Sequence, residues 1–286
     1  MKYQASIDHP MKALYLIYLI CLLCVTGPGM VNGQSASWKG CGEGLSVAEF
    51  DPPHKSTKGD SKITVIKIDP KYYSFKLLCA SEHKTGPMTA KQWCKKNNLV
   101  AAVNAGMFQA DGFINVGYMK NYSHLNNNRL NSYKTLLLFN PLSHGTPDIQ
   151  VVDRECRSFD DVRGKYNTVI QNIRMISCQG KNTWSQQPKT WSMVALGSDK
   201  MGNILFLFTR SPYSVHDFIE ILLALPLGIS TTMYLEGGPE ASLYFSTPGT
   251  EIEKYGSFET GFNLDDSHEF AWPIPNVIGI VKKEKR

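Results

Sequence analysis

Apolar and polar positions alternate in short blocks along most of this chain, and strands therefore outnumber helices in what the pattern predicts. Ile63–Ile68 and Tyr72–Cys79 read as two strands, paired through the Asp69-Pro70 turn. Leu99–Val103 is a compact apolar run suited to a buried strand, and Thr89–Lys96 just before it suits a short helix. Further strands are expected at 133–139, 149–152, 169–176, 192–196, 204–209, 234–236 and 277–281. The clearest helix is 215–225, where Phe218, Ile221, Leu222 and Leu225 recur at helical spacing. Ser214 is its natural N-cap, Asp217 lies in the first turn, and Pro226 stops it. Few strands and helices alternate in the β-α-β manner of a parallel sheet. The expected fold class is α+β, a single domain with a large mixed β-sheet packed by a few helices.

The N-terminus departs from this pattern. Ala13–Val25 is an apolar run behind Lys2 and Lys12, followed by the small-residue site Val31-Asn32-Gly33. That is a secretory signal pattern, so residues 1–33 are expected to be removed and the protein exported, either periplasmic or secreted. The run is shorter than the roughly 20 residues a spanning helix needs, which argues against a membrane span in the mature chain. Met11 directly precedes the apolar run and is an alternative start, and neither Cys21 nor Cys24 follows the small residue expected of a lipid-anchored cysteine. Residues 34–60 are rich in Gly, Ser and Pro and read as a loose lead-in, leaving 61–286 as the folded domain.

Composition narrows the function classes. With 286 residues, 42% hydrophobic and 19% charged, the chain has ample material for a globular core. The net charge of +5 is mild, and its basic cluster is confined to the last five residues, 282–286. Nucleic acid is therefore not an expected partner. Five cysteines follow the signal, an odd number that allows one or two disulfides of unreadable connectivity in an oxidising compartment. Asn121-Tyr-Ser123 matches a glycosylation sequon. No G-x-S-x-G elbow, zinc helix, phosphate loop or dinucleotide fingerprint is present. The sequence requires no cofactor and leaves room for a hard divalent cation such as calcium.

Four segments carry candidate chemistry. In Met233-Tyr-Leu-Glu-Gly-Gly-Pro-Glu240, an apolar lead-in delivers Glu236 to a strand end, and Gly237-Gly238 turns the chain so that Glu240 can face the same pocket. A plain hairpin with two solvated glutamates is the alternative. Asn104-Ala-Gly-Met-Phe108 puts a side-chain amide and the free N–H groups around Gly106 at another strand end, donors suited to sugar or phosphate oxygens. Alternation places Asn172 and Arg174 on one strand face, with Lys181 on the following loop. Arg210 and His216 flank the start of the 215–225 helix, whose N-terminal N–H groups suit an anion. Each also reads as ordinary turn, surface charge or cap.

In their order, these pieces resemble the phosphodiester glycosidase family over roughly residues 63–281. Asn104-Ala-Gly-Met-Phe108 stands where the family has an N-G-G-F-F-like motif after a strand. Leu196-Gly-Ser-Asp-Lys-Met-Gly202 stands for a Gly-Asp-x-x-Gly hairpin, and Leu235-Glu-Gly-Gly-Pro-Glu240 for L-D-G-G-G-S. Glu236 replaces an Asp, Pro239-Glu240 replaces Gly-Ser, and the family's frequent Arg before the A-[IV]-G strand end is Met193, leaving its role to Arg174 or Arg210. The resemblance implies a divergent bacterial branch whose substrate is a carbohydrate phosphate, cleaved at the sugar–phosphate glycosidic bond. It casts Glu236, Glu240 and Asn104 as catalytic. Arg174, Arg210, Lys181, His216, Gly106, Gly237 and Gly238 become substrate- or phosphate-binding. A non-catalytic envelope protein that binds phosphorylated glycans and a P–O-cleaving phosphodiesterase are the alternatives. Oligomeric state is not readable.

Overall fold

A computed structural model describes residues 37–284; the signal pattern at 1–33 lies outside the described residues. Two antiparallel sheets stack face to face. The larger runs β1 (Lys39–Gly42), β2 (Leu45–Phe50), β3 (Ile63–Ile68), then out of chain order to β12 (Ile204–Tyr213), β11 (Trp191–Asp199), β13 (Ile229–Gly237) and β10 (Tyr166–Ile176). Beyond β10 come β6 (Met119–Asn121) and β7 (His124–Asn127), with β8 (Thr135–Pro141) also on β10 and β9 (Ile149–Asp153) on β8. The smaller sheet has the order β15 (Thr250–Tyr255), β14 (Ser242–Thr247), β5 (Ala101–Asn104), β16 (Asn276–Lys282), β4 (Tyr73–Cys79).

Alternation explains the layering. On β12, Ile204, Phe206 and Phe208 enter the core between the sheets, while Leu205 and Leu207 face outward under α4 (Val215–Ala224). That helix seats Phe218, Ile219 and Leu222 on the large sheet's outer face. On the opposite side, α2 (Ala90–Asn97) seats Trp93 and Cys94 on the small sheet against Ala102, Tyr244 and Val277. Thr89 starts α2 with a reciprocal capping box to Gln92, and Ser214 caps α4 by accepting the Asp217 N–H. The result is four layers, helix on sheet on sheet on helix, with the one-turn helices α1 (Ala80–His83) and α3 (Asp160–Arg163) in the connections after β4 and β9.

Three expectations need correction. The sheets are antiparallel throughout their strand pairings, not mixed, and the chain is mostly β. Segment 34–60 is not a loose lead-in, because β1 and β2 lie in it and bury Leu45, Val47 and Phe50; short strands split by glycine turns mimic a loop. β3 and β4 do not pair with each other. The turn between them carries the chain from one sheet to the other, where β4 pairs with β16. In the sequon, the Asn121 side chain is buried, donates to Leu77 O and Glu82, and accepts from Thr168 Oγ1.

Candidate active site

The chain leaves the large sheet at the end of β13 and enters the small one at β14, and the crossing is Gly238–Glu240, a single 3-10 turn. Gly238 has φ 65°, a left-handed conformation that favours glycine. A Cβ there would also strike Glu259 Oε2 and lie 3.5 Å from Glu240 Oε2. A Cβ on Gly237 would collide with the Tyr234 hydroxyl and the Trp191 indole. Glycines thus let three carboxylates and two aromatic rings close around one turn.

Glu236 reaches this place through a bulge. Ala195 pairs with Tyr234 and Val194 with Glu236, leaving Leu235 as an extra residue on β13. Strict alternation would keep Glu236 on the same face as Tyr234, under α4. The extra residue sets it opposite Val194, which belongs to the core between the sheets. Asn104, at the end of β5, fixes the other side of the turn: its Nδ2 donates to Glu240 O at 3.0 Å and its Oδ1 accepts the Ser242 N–H at 2.7 Å. Two residues on, the space a Cβ would need at Gly106 is taken by Asn172 Oδ1 and Asn115 Oδ1.

A strap over residues 256–263 brings Glu259. Ser192 Oγ accepts the Ser257 and Phe258 N–H groups, Gly256 N–H donates to Ala241 O, and Glu259 bridges to Trp191. Burial raises the Glu236 carboxyl to about 8, against the opposing Gly237 N–H, and the Glu240 and Glu259 charges add to the rise. Glu240 is also raised, first by burial and then by Glu259. The buried Tyr234 hydroxyl lies well above its ordinary value, through desolvation and then the Glu236 charge. Trp191 Nε1 sits beside it without a hydrogen-bond partner. This set can donate protons and neutral hydrogen bonds to an anion.

The geometry coincides with a family signature. A sequence profile of the phosphodiester glycosidase family matches residues 97–281, which spans β5, the crossing and the strap. The chain belongs to the phosphodiester glycosidase family. It is accordingly an enzyme of that family. Among solved structures, the fold is similar to the catalytic domain of zebrafish N-acetylglucosamine-1-phosphodiester alpha-N-acetylglucosaminidase, a form auto-inhibited by its pro-peptide. That match has TM-score 0.59 and 14% identity and covers 87% of each chain. It is also similar to a hypothetical protein from Synechocystis, with TM-score 0.56 and 13% identity over 88% of this chain and 64% of the other. A search of curated protein sequences returns no significant match.

Within this phosphodiester glycosidase, the sequence-predicted residues separate into two groups. Glu236, Gly237, Gly238, Glu240 and Asn104 come together around the crossing, while Gly106 packs against Asn172 and Asn115. Asn104 clamps the turn there, with one bond from Nδ2 to the Glu240 carbonyl and one to Oδ1 from the Ser242 N–H. The cations stand apart. Arg174 Nη1 binds Asp153 at 2.8 Å and Glu155 at 2.6 Å. Arg210 donates to Asp266, Tyr255 O and His268 O and lies over the Tyr255 ring. Arg210 has all three nitrogens engaged, while Arg174 is paired with two carboxylates through Nη1 and keeps a buried Nε without a partner. Lys181 is exposed on the turn closed on Ser177. His216 lies 3.5 Å from Asp217, whose carboxylate and Ser214 already occupy the helix start.

Glu259, Tyr234 and Trp191 were not among the sequence candidates. Glu259 sits in an aperiodic stretch, and its only local signal was an acid between two glycines, Gly256 and Gly261. Among the described residues, the acid, Cys and His ligands close enough to chelate an ion are Asp153, Cys156 and Cys178. There the cysteines form a disulfide and Asp153 holds Arg174, so that group is not a cation site. A broad groove of about 1250 Å³, lined by Tyr72, Tyr73, Asn140, His144 and Lys283, contains none of the three glutamates.

Proposed function

We propose that this chain is an exported hydrolase that cleaves the C1–O bond of a glycosyl phosphodiester, releasing sugar and phosphomonoester. The family match supports the substrate class. Export is supported by the signal pattern and by the Cys156–Cys178 disulfide, a bond suited to an oxidising compartment. No helix among the described residues is long and apolar enough to cross a membrane.

One observation carries the mechanism: among the described residues, three carboxylates share a site with no arginine among the groups acting on Glu236, and burial with like charge keeps Glu236 protonated up to about pH 8. A neutral carboxylic acid can donate where a cation would otherwise stand. Glu236 is therefore the proton donor and phosphate partner, with the Trp191 indole N–H and the Tyr234 hydroxyl as neighbouring donors. Glu240 is the base. Water adds its oxygen to C1 and yields a proton to Glu240, while the C1–O electron pair leaves on the phosphate oxygen, which takes the proton of Glu236. A phosphomonoester, with its second pKa near 6, is a good leaving group and needs only modest acid help.

Turnover of a panel of glycosyl phosphodiesters in ¹⁸O-water tests the reading. Label in the sugar supports it, label in the phosphate means P–O cleavage, and no turnover of any member leaves a glycan-binding protein. Glu236→Gln should lower kcat by about 10²–10⁴-fold in a folded protein, and the fall in kcat/KM above about pH 8 should vanish with it.

A further inference from the structure

The strap that carries Glu259 is held at both flanks by one side chain. Arg210, on β12, donates Nη1 to Tyr255 O at 2.7 Å just before the strap and Nη2 to His268 O at 2.7 Å beyond it, while Nε binds Asp266 at 2.8 Å. Its own backbone carbonyl accepts the Ser192 hydroxyl, and that same hydroxyl receives the Ser257 and Phe258 N–H groups. Guanidinium and carbonyl of one residue thus fasten the chain on either side of Glu259. At the strap's centre, Glu259 N–H donates to Asn263 O and Glu259 bridges to Trp191, which fixes the backbone and leaves the carboxylate beside Gly238.

We propose that Glu259 is a third functional carboxylate of the site, and that Arg210 acts through it as the clasp of the strap. The inference rests on the glycosidase reading above. Glu259 and Glu240 flank the same glycine from two different chain crossings, so their charges act on Glu236 and on each other. The groups facing Glu236 are Glu240 from the crossing, Glu259 from the strap and Tyr234 from its own strand. Among the described residues, no cation acts on Glu236. Removing the Glu259 charge makes Glu236 a stronger acid, and releasing the clasp moves that charge away. Both changes shorten the pH range over which Glu236 keeps its proton.

The test is a double-mutant cycle of Glu259→Gln and Arg210→Ala, with Arg210→Lys as the variant that keeps charge but loses the fork. In the wild-type background Glu259→Gln should move the alkaline limb of kcat/KM down by about half a pH unit or more. Arg210→Ala should shift it the same way and lower kcat about tenfold with KM changed less than twofold, yet add less than twofold to kcat in the Glu259→Gln background. A rise in KM from Arg210→Ala that is equal in both backgrounds would mean that Arg210 holds the phosphate and would overturn the proposal. So would an unmoved limb in Glu259→Gln. Carboxyl ¹³C titration of Glu236 needs no substrate and separates the two readings: a lower midpoint in Glu259→Gln than in wild type upholds this inference even if no glycosyl phosphodiester turns over, and an equal midpoint sinks it even if one does.

Discussion

Two corners of the molecule withdraw carboxylates from water, one fully at Asp153 and one in part at Glu236, and they treat them in opposite ways. At the end of β9, Asp153 is buried with its charge matched: Arg174 makes two bonds to it, and the Glu155 and Cys178 N–H groups make two more. At the β13–β14 crossing, Glu236 has the single N–H of Gly237 and two acidic neighbours. The matched corner reads as scaffold, since Asp153 has its charge paired and both oxygens bonded, although the buried Arg174 Nε has no partner. The unmatched one stores protonation energy that a substrate can draw on. An arginine on the sheet is thus a poor indicator of function until its partners are known.

Breaking the matched corner should give the largest effect. Arg174→Ala leaves Asp153 buried without its cation and should cost about 3–5 kcal/mol by denaturant unfolding. If it instead raised KM for a glycosyl phosphodiester with stability intact, Arg174 would be a phosphate ligand and the comparison would collapse. The same corner holds the Cys156–Cys178 disulfide, which closes a loop across a sequence separation of 22. The double Ser variant should lose about 3 kcal/mol, seen as a lower denaturation midpoint with kcat unchanged.

On the unmatched side, Asn104→Ala frees Glu240 O and the Ser242 N–H at once. It should cost about 2 kcal/mol and lower kcat, and Asn104→Asp, which keeps the acceptor alone, should recover only part of the stability. The smallest effect has the opposite sign. Folded Glu236 holds a proton that the unfolded chain releases between its ordinary carboxyl range and about pH 8, so stability falls as pH rises through that window. Glu236→Gln removes this loss and should be the more stable protein at pH 8.5, by about 1–3 kcal/mol once its partial solvent contact is discounted. Equal melting temperatures of the two proteins across pH 5–9 would place Glu236 in water and end the contrast.

The sequence by itself determined the local elements and their order. Ser214 with Asp217 marks the start of α4, Thr89 marks α2, and the apolar alternation of Ile204–Thr209 and Ser192–Leu196 marks strands, because caps and side-chain periodicity are properties of neighbours in the chain. Motif order along residues 104–240 identified the family for the same reason. What only the tertiary structure decided is long-range: which sheet each strand joins, the register slip at Leu235 that sets Glu236 opposite Val194, and the arrival of Glu259 from a stretch with no pattern. It also decided which charges were free. Arg174 and Arg210 look equally available in the sequence, but a cation's availability depends on the acids and carbonyls that folding brings to it, here Asp153 and Glu155 for one and Tyr255, Asp266 and His268 for the other.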